Sequence, residues 1–198
     1  MDPHEQRETL ITKIIALEQD MFERISTYER SPCQDRLKTF RLMRWMTHSV
    51  LPADILLSYL EDLRQAREQG RNLMTEKYAL IDGLIPEAAD LRDVIAQIVA
   101  IENTWMAEVR EAYPRCFPRG GEGFHAYISG DLETLSSRTL GMLGHFVEQA
   151  LDQGRNLVRE RYENLFRRLG YASIAAFEEK LRQGASSDRA CARERQAG

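Results

Sequence analysis

The sequence predicts an all-α protein, an irregular helical bundle built from two tandem units of about 84 residues related by an approximate two-fold axis. Three observations predict it. Apolar residues recur every three or four positions over long stretches. β-Branched residues fall inside those runs and not in alternating ones, so no strand is expected. A polar string is also written twice: Gly70-Arg71-Asn72-Leu73 with Glu76 and Tyr78 returns as Gly154-Arg155-Asn156-Leu157 with Glu160 and Tyr162 (154 − 70 = 84).

Taken in order, Asp2-Pro3-His4-Glu5 reads as a helix start. Asp2 caps, Pro3 suits the first turn and Glu5 can reach back. Ile11, Ile14, Met21, Phe22 and Ile25 form a stripe that carries this helix to about Thr27. Ser31-Pro32 interrupts it, and Asp35 is the expected cap of a second helix over 36–46. Pro52 opens a long third helix with Ile55, Leu56, Tyr59, Leu63, Met74 and Ile81 turned inward, ending near Gly83. The second unit repeats the plan. A helix runs from about Glu87 to Ala112, followed by a loop over 114–123 rich in Pro and Gly, the expected lid or rim. Asp131 is read as the cap of a long helix, broken near Gly154 and ending around Gly170. Ser173 caps a short last helix over 173–182. The units span about 5–84 and 87–170 within one helical domain, 1–183, and 184–198 lacks apolar periodicity and reads as a disordered tail.

The same shift aligns Ile11, Ile14 and Glu18 with Ile95, Ile98 and Glu102, and Lys77 with Arg161 in charge. With 198 residues, the chain is long enough for a well-buried core. Its net charge of −4 supplies no general attraction to nucleic acid or an anionic membrane, so neither is an expected partner. No apolar run is long enough to span a bilayer. The first residues lack the basic-then-apolar pattern of a signal peptide. Three cysteines, an odd number at wide spacing, suit a reducing cytoplasm.

Glu18 sits inside an apolar stripe, with Ile14, Met21, Phe22 and Ile25 at helical spacing around it, and Glu102 has the same setting among Ile98, Trp105, Met106 and Val109. A buried carboxylate must be paired or take up a proton. Arg71 and Arg155 are the expected partners, because a guanidinium can hold a carboxylate through two hydrogen bonds. Asn72 with Glu76, and Asn156 with Glu160, share helix faces at a spacing of four. The plainer reading is structural: Gly70 and Gly154 let helices cross closely, and the polar residues form a satisfied network. The sharper one brings both copies together around a pocket for a small polar or anionic ligand, lined by Arg71, Asn72, Glu76, Tyr78, Arg155, Asn156, Glu160 and Tyr162.

No metal site is expected, because Met21 and Trp105 stand where a Glu-x-x-His pair would place histidine. No particular cofactor is implied. Cys33 and Cys116 lack metal-ligand spacing and read as solitary thiols, and His48 and His125 as surface or capping residues. The basic run Arg36, Lys38, Arg41, Arg44 reads as a solvated face or a set of internal ion-pair donors.

Cys33-Gln34-Asp35, Phe40 with Met43-Arg44, Ser58-Tyr59, Gly-Arg-Asn-Leu-x-x-Glu-Lys-Tyr-Ala at 70–79, and Glu102 with Trp105-Met106 and Tyr113-Pro114 together resemble a bacterial, all-helical domain-of-unknown-function family over most of 10–180. The resemblance implies a bacterial cytoplasmic protein and no particular activity. Two functions follow as expectations. One is a module that binds a small ligand or a protein partner through its polar centre and surface. The other is an enzyme on a small polar substrate, with Glu18 or Glu102 as general acid or base, arginines orienting an anionic group and Tyr78 or Tyr162 donating a hydrogen bond.

Overall fold

The computed structural model of the protein describes residues 2–25, 36–86, 90–118 and 124–184. Among the described residues there are helices and no strands. They are α1 (Pro3–Glu23), α2 (Leu37–His48), α3 (Ala53–Glu68), α4 (Leu73–Ile81), α5 (Arg92–Ala112), α6 (Phe124–Glu133), α7 (Ser137–Asp152), α8 (Leu157–Arg168), and α9 over 174–184.

α1 begins as its first residues dictate: the Asp2 carboxylate accepts from the His4 amide and Pro3 occupies the first turn. It ends at Glu23, short of Thr27. The expected break at Ser31-Pro32, the Asp35 cap and Cys33 lie outside the described residues, as do 119–123 of the Pro/Gly loop and 185–198 of the tail. Ser136 caps α7 by accepting from the Thr139 amide, and the Ser173 hydroxyl accepts from the Ala176 amide at the start of α9.

The long helix expected from Pro52 to Gly83 is two helices. α3 stops at Glu68, and Gly70 takes the left-handed conformation (φ 71°). There the Gly70 and Arg71 amides donate back to the carbonyls of Arg67 and Ala66. Asn72 then caps α4: its carbonyl accepts from the Thr75 amide at 3.0 Å, and its amide donates to the Met21 carbonyl of α1 at 2.8 Å. The second copy does the same. Gly154 has φ 66°, the Arg155 amide reaches the Ala150 carbonyl, and Asn156 accepts from Arg159 while donating to Trp105 of α5. A Cβ added at Gly70 or Gly154 would meet nothing within 4 Å. These glycines therefore end a helix, and do not serve the close crossing that the plainer reading assigned them.

Asp131 is not a cap either. It lies inside α6, with its carboxylate facing α2 and α4.

α1 packs on α2, α3 and α4, while α5 packs on α6, α7 and α8. The principal contacts between these groups are α2 with α8, α4 with α6, and α3 with α7. Each group has its own apolar cluster, one around Ile11, Ile14, Leu56 and Leu63, the other around Val109, Leu140, Val147 and Leu157. Leu135, Leu143 and Phe146 pack against both. No described helix is long and apolar enough to cross a membrane.

The α4–α6 contact depends on Gly130. A Cβ there would sit 3.0 Å from Ile81 Cγ1 and 3.2 Å from Lys77 Cγ. Gly130→Ala is expected to cost about 1–3 kcal/mol by overpacking, read as a lower urea midpoint at unchanged slope. An unchanged midpoint would show that the two helices separate freely.

Candidate functional site

The centre of the molecule is built on Glu18, whose side chain is wholly inaccessible. Arg44 and His48, one helical turn apart on α2, reach it from one side, and Tyr59 on α3 from another. Arg44 Nη2 donates to Oε1 at 2.6 Å and Nε to Oε2 at 3.0 Å. His48 Nε2 lies 3.0 Å from Oε1, and the Tyr59 hydroxyl donates to the same oxygen at 2.9 Å. Burial pushes the Glu18 carboxyl up, but the charges and hydrogen bonds of Arg44 and His48 outweigh it and hold the group well below the usual carboxylate range. Burial and the neighbouring Glu18 both push the Tyr59 hydroxyl up, so it stays a donor.

Arg44 also joins the two groups of helices. Its Nη1 donates to both oxygens of Asp131 on α6, at 3.2 and 3.1 Å. Lys77 on α4, 3% exposed, approaches Asp131 at 2.8 Å and lies 4.6 Å from the ring centre of Tyr127. Burial lowers the Lys77 ammonium pKa, with Asp131 opposing. For Asp131, burial raises the carboxyl, but Arg44 and then Lys77 more than offset it and the group is held low.

Glu102 is buried in α5 and bound fork to fork by Arg161 of α8, at 2.7 and 2.6 Å. That leaves Arg161 Nε, which is buried without a hydrogen-bond partner; His48 Nδ1 is in the same condition. Both residues line a cavity of about 100 Å³ that Tyr59, Glu102, Asp131 and Arg44 also face. A cavity of that size has room for several water molecules or a ligand of a few heavy atoms. It shares Arg44, Thr47, Ile128, Asp131 and Arg161 with a neighbouring groove of about 710 Å³.

The buried carboxylates are where their apolar stripes place them, but their partners are not the expected ones. Arg71 pairs with Glu76 and Arg155 with Glu160, each through two hydrogen bonds, at the start of α4 and α8. These side chains are 50 and 38% exposed for the arginines, too near solvent to meet Glu18 or Glu102. The reason is the helix break. An arginine between the glycine and the Asn cap lies outside the helices, where its short-range partner is an acid in the first turn. Asn72 and Asn156 serve as caps and tie rods. Tyr78 and Tyr162 do line the groove, Tyr78 edge-on to Tyr127 and Tyr162 edge-on to Phe117.

Sequence reasoning missed Arg44, His48, Tyr59, Lys77, Asp131 and Arg161 as members of one centre. Two signals pointed to them: Arg44 and His48 share a face at a spacing of four, and Lys77 and Arg161 each follow an Asn-Leu pair, 84 residues apart. His48 is thus neither a surface nor a capping residue, being 3% exposed. Arg44 is one of the internal donors, 8% exposed. Cys116 is a free thiol whose pKa burial and then Glu178 push up to about 12, so it stays protonated near neutrality.

The family model described as "Protein of unknown function (DUF4125)" matches residues 8–179, and the chain belongs to that family. No curated protein and no solved structure matches it.

Proposed function

We propose that this chain is a binding module for a small polar or anionic ligand, seated where two duplicated helical units meet. The observation that carries the reading is the central cavity, lined by Arg161 and His48, each of which holds a buried nitrogen without a protein partner, Nε and Nδ1. A satisfied packing network would leave neither, because a buried unpaired donor or acceptor costs about 1–3 kcal/mol.

Duplication with approximate two-fold symmetry supports a shared site. α7 lies 84 residues after α3 at both ends (137 − 53 = 84, 152 − 68 = 84). Exchanging α1–α4 with α5–α8 carries each principal packing pair onto another, with α3–α7 falling on itself. Residues one repeat apart then share one groove: Phe40 with Phe124, Lys77 with Arg161, Tyr78 with Tyr162. The two halves have diverged in charge. Arg44, His48 and Tyr59 correspond to Ile128, Leu132 and Leu143 (44 + 84 = 128), all of which face the cavity.

Binding fits the centre better than proton transfer at Glu18, whose oxygens already accept four hydrogen bonds. A carboxylate so occupied is a poor base.

The test is a thermal-shift screen with acetate, succinate, inorganic phosphate and glycerol. A ligand at a hundred times its Kd adds about 2.7 kcal/mol to stability, so a rise of several degrees in Tm is expected with at least one anion. Arg161→Lys, which keeps the charge but loses the planar fork, is expected to abolish that rise. If no compound stabilises the wild type, the polar centre serves packing alone.

A further inference from the structure

We propose that the molecule held in the central cavity carries a hydroxyl beside an acceptor oxygen, the hydroxyl donating to His48 Nδ1 and the acceptor taking the Arg161 Nε hydrogen. The inference rests on the ligand-binding reading above and deepens it by naming the ligand's hydrogen-bonding class.

The His48 ring supplies the first argument. Its Nε2 lies 3.0 Å from Glu18 Oε1. Glu18 is ionised despite its burial and has no hydrogen to give, so the hydrogen in that contact belongs to Nε2. Arg44, Lys77 and Arg161 already match Glu18, Asp131 and Glu102 charge for charge. A second hydrogen on the ring would add a buried charge with no counter-ion. In the neutral ring Nδ1 is an acceptor. It is buried without a hydrogen-bond partner, and His48 lines the cavity.

The neighbouring hydroxyls supply the second. Among the described residues lining the cavity, Tyr59 donates to Glu18, Thr47 donates to the Met43 carbonyl, and Thr139 bonds with the hydroxyls of Ser58 and Ser136. None is left for Nδ1, so its donor must arrive with a ligand. Arg161 makes the converse demand. Its two Nη atoms hold Glu102, and the buried Nε hydrogen needs an acceptor. One molecule with both groups meets both demands. Ile55, Ile98, Leu132 and Leu135 make much of the remaining wall apolar, and about 100 Å³ admits only a few heavy atoms. Of the compounds in the thermal-shift screen, hydrogen phosphate and glycerol fit this pattern, whereas acetate and succinate bring acceptors alone.

Two isosteric pairs test the class by NMR titration of nitrogen-labelled protein: glycolate against propionate, and hydroxyacetone against butanone. Within each pair a methyl replaces the hydroxyl and the rest is kept. The hydroxyl member is expected to bind about tenfold tighter, since the methyl covers a buried acceptor without bonding to it. The same spectra are expected to show the His48 ring with a hydrogen on Nε2 and none on Nδ1. His48→Phe keeps a ring but has no Nδ1, and is expected to bring the members of each pair to equal affinity. A preference that survives His48→Phe would overturn the assignment. Should that variant not fold, the wild-type ring decides: a hydrogen on Nδ1 overturns the inference. Equal affinity within both pairs in the wild type would remove the hydroxyl requirement while leaving the cavity a site. If none of the four binds, the inference falls, and the thermal-shift screen still judges the ligand-binding reading by itself.

Discussion

Arg44→Met is expected to lower the unfolding free energy by about 3–5 kcal/mol, the range for breaking a buried ion pair from one side. The variant keeps Glu18 wholly buried with only His48 and Tyr59 to hold it, and leaves Asp131 to Lys77 alone. At about 2–4 °C per kcal/mol for a chain of this size, the melting point falls by roughly 10 °C. Removing the other charge too should restore most of the loss: Arg44→Met with Glu18→Leu is expected to be clearly more stable than Arg44→Met alone, because the unpaired charge was the penalty. Additive losses would show that Arg44 contributes by packing. The wild type carries the matching acid signature. Glu18 and Asp131 have folded pKa values below their ordinary ones, so the unfolded chain takes up protons first. Their contribution is complete above the ordinary carboxylate value and is lost as pH falls below about 4.5 through the folded values. Glu18→Gln should flatten that decline. The same acid slope in wild type and variant would show that Glu18 is not held ionised.

Arg161→Met is the second large effect. Among the described residues Glu102 has Arg161 as its hydrogen-bond partner, so the variant leaves it a buried carboxylate without a donor. Breaking a buried ion pair from one side costs about 3–5 kcal/mol, so the urea midpoint is expected to fall at unchanged slope. An unchanged midpoint would mean that Glu102 reaches water once Arg161 is gone.

How much of this was legible in the chain differs from residue to residue. Glu18 and Glu102 were recognisable as buried because a helix has a fixed period, and a carboxylate inside an apolar stripe has nowhere else to point. The caps at Asp2 and Ser173, and the helical class itself, follow from the same local rules. The partner of Glu18 was not legible. Arg44 is 26 residues away and Asp131 a further 87 from Arg44, and no local periodicity ranks one arginine above another at that range. The repeated Arg71 and Arg155 drew the assignment because repetition is visible, yet their repeated duty is to pair with Glu76 and Glu160 at helix starts.

The sequence by itself determined that the chain is helical, which faces its helices bury, and that Glu18 and Glu102 are drawn into the interior, since all three depend on neighbours within a turn or two. Tertiary structure alone decided which cations meet those acids and which nitrogens stay unpaired. It also decided that Lys77 and Arg161, and Tyr78 and Tyr162, line a common groove. Those outcomes depend on how α2, α4, α6 and α8 cross, and the crossing is set by the summed packing of all the helices together.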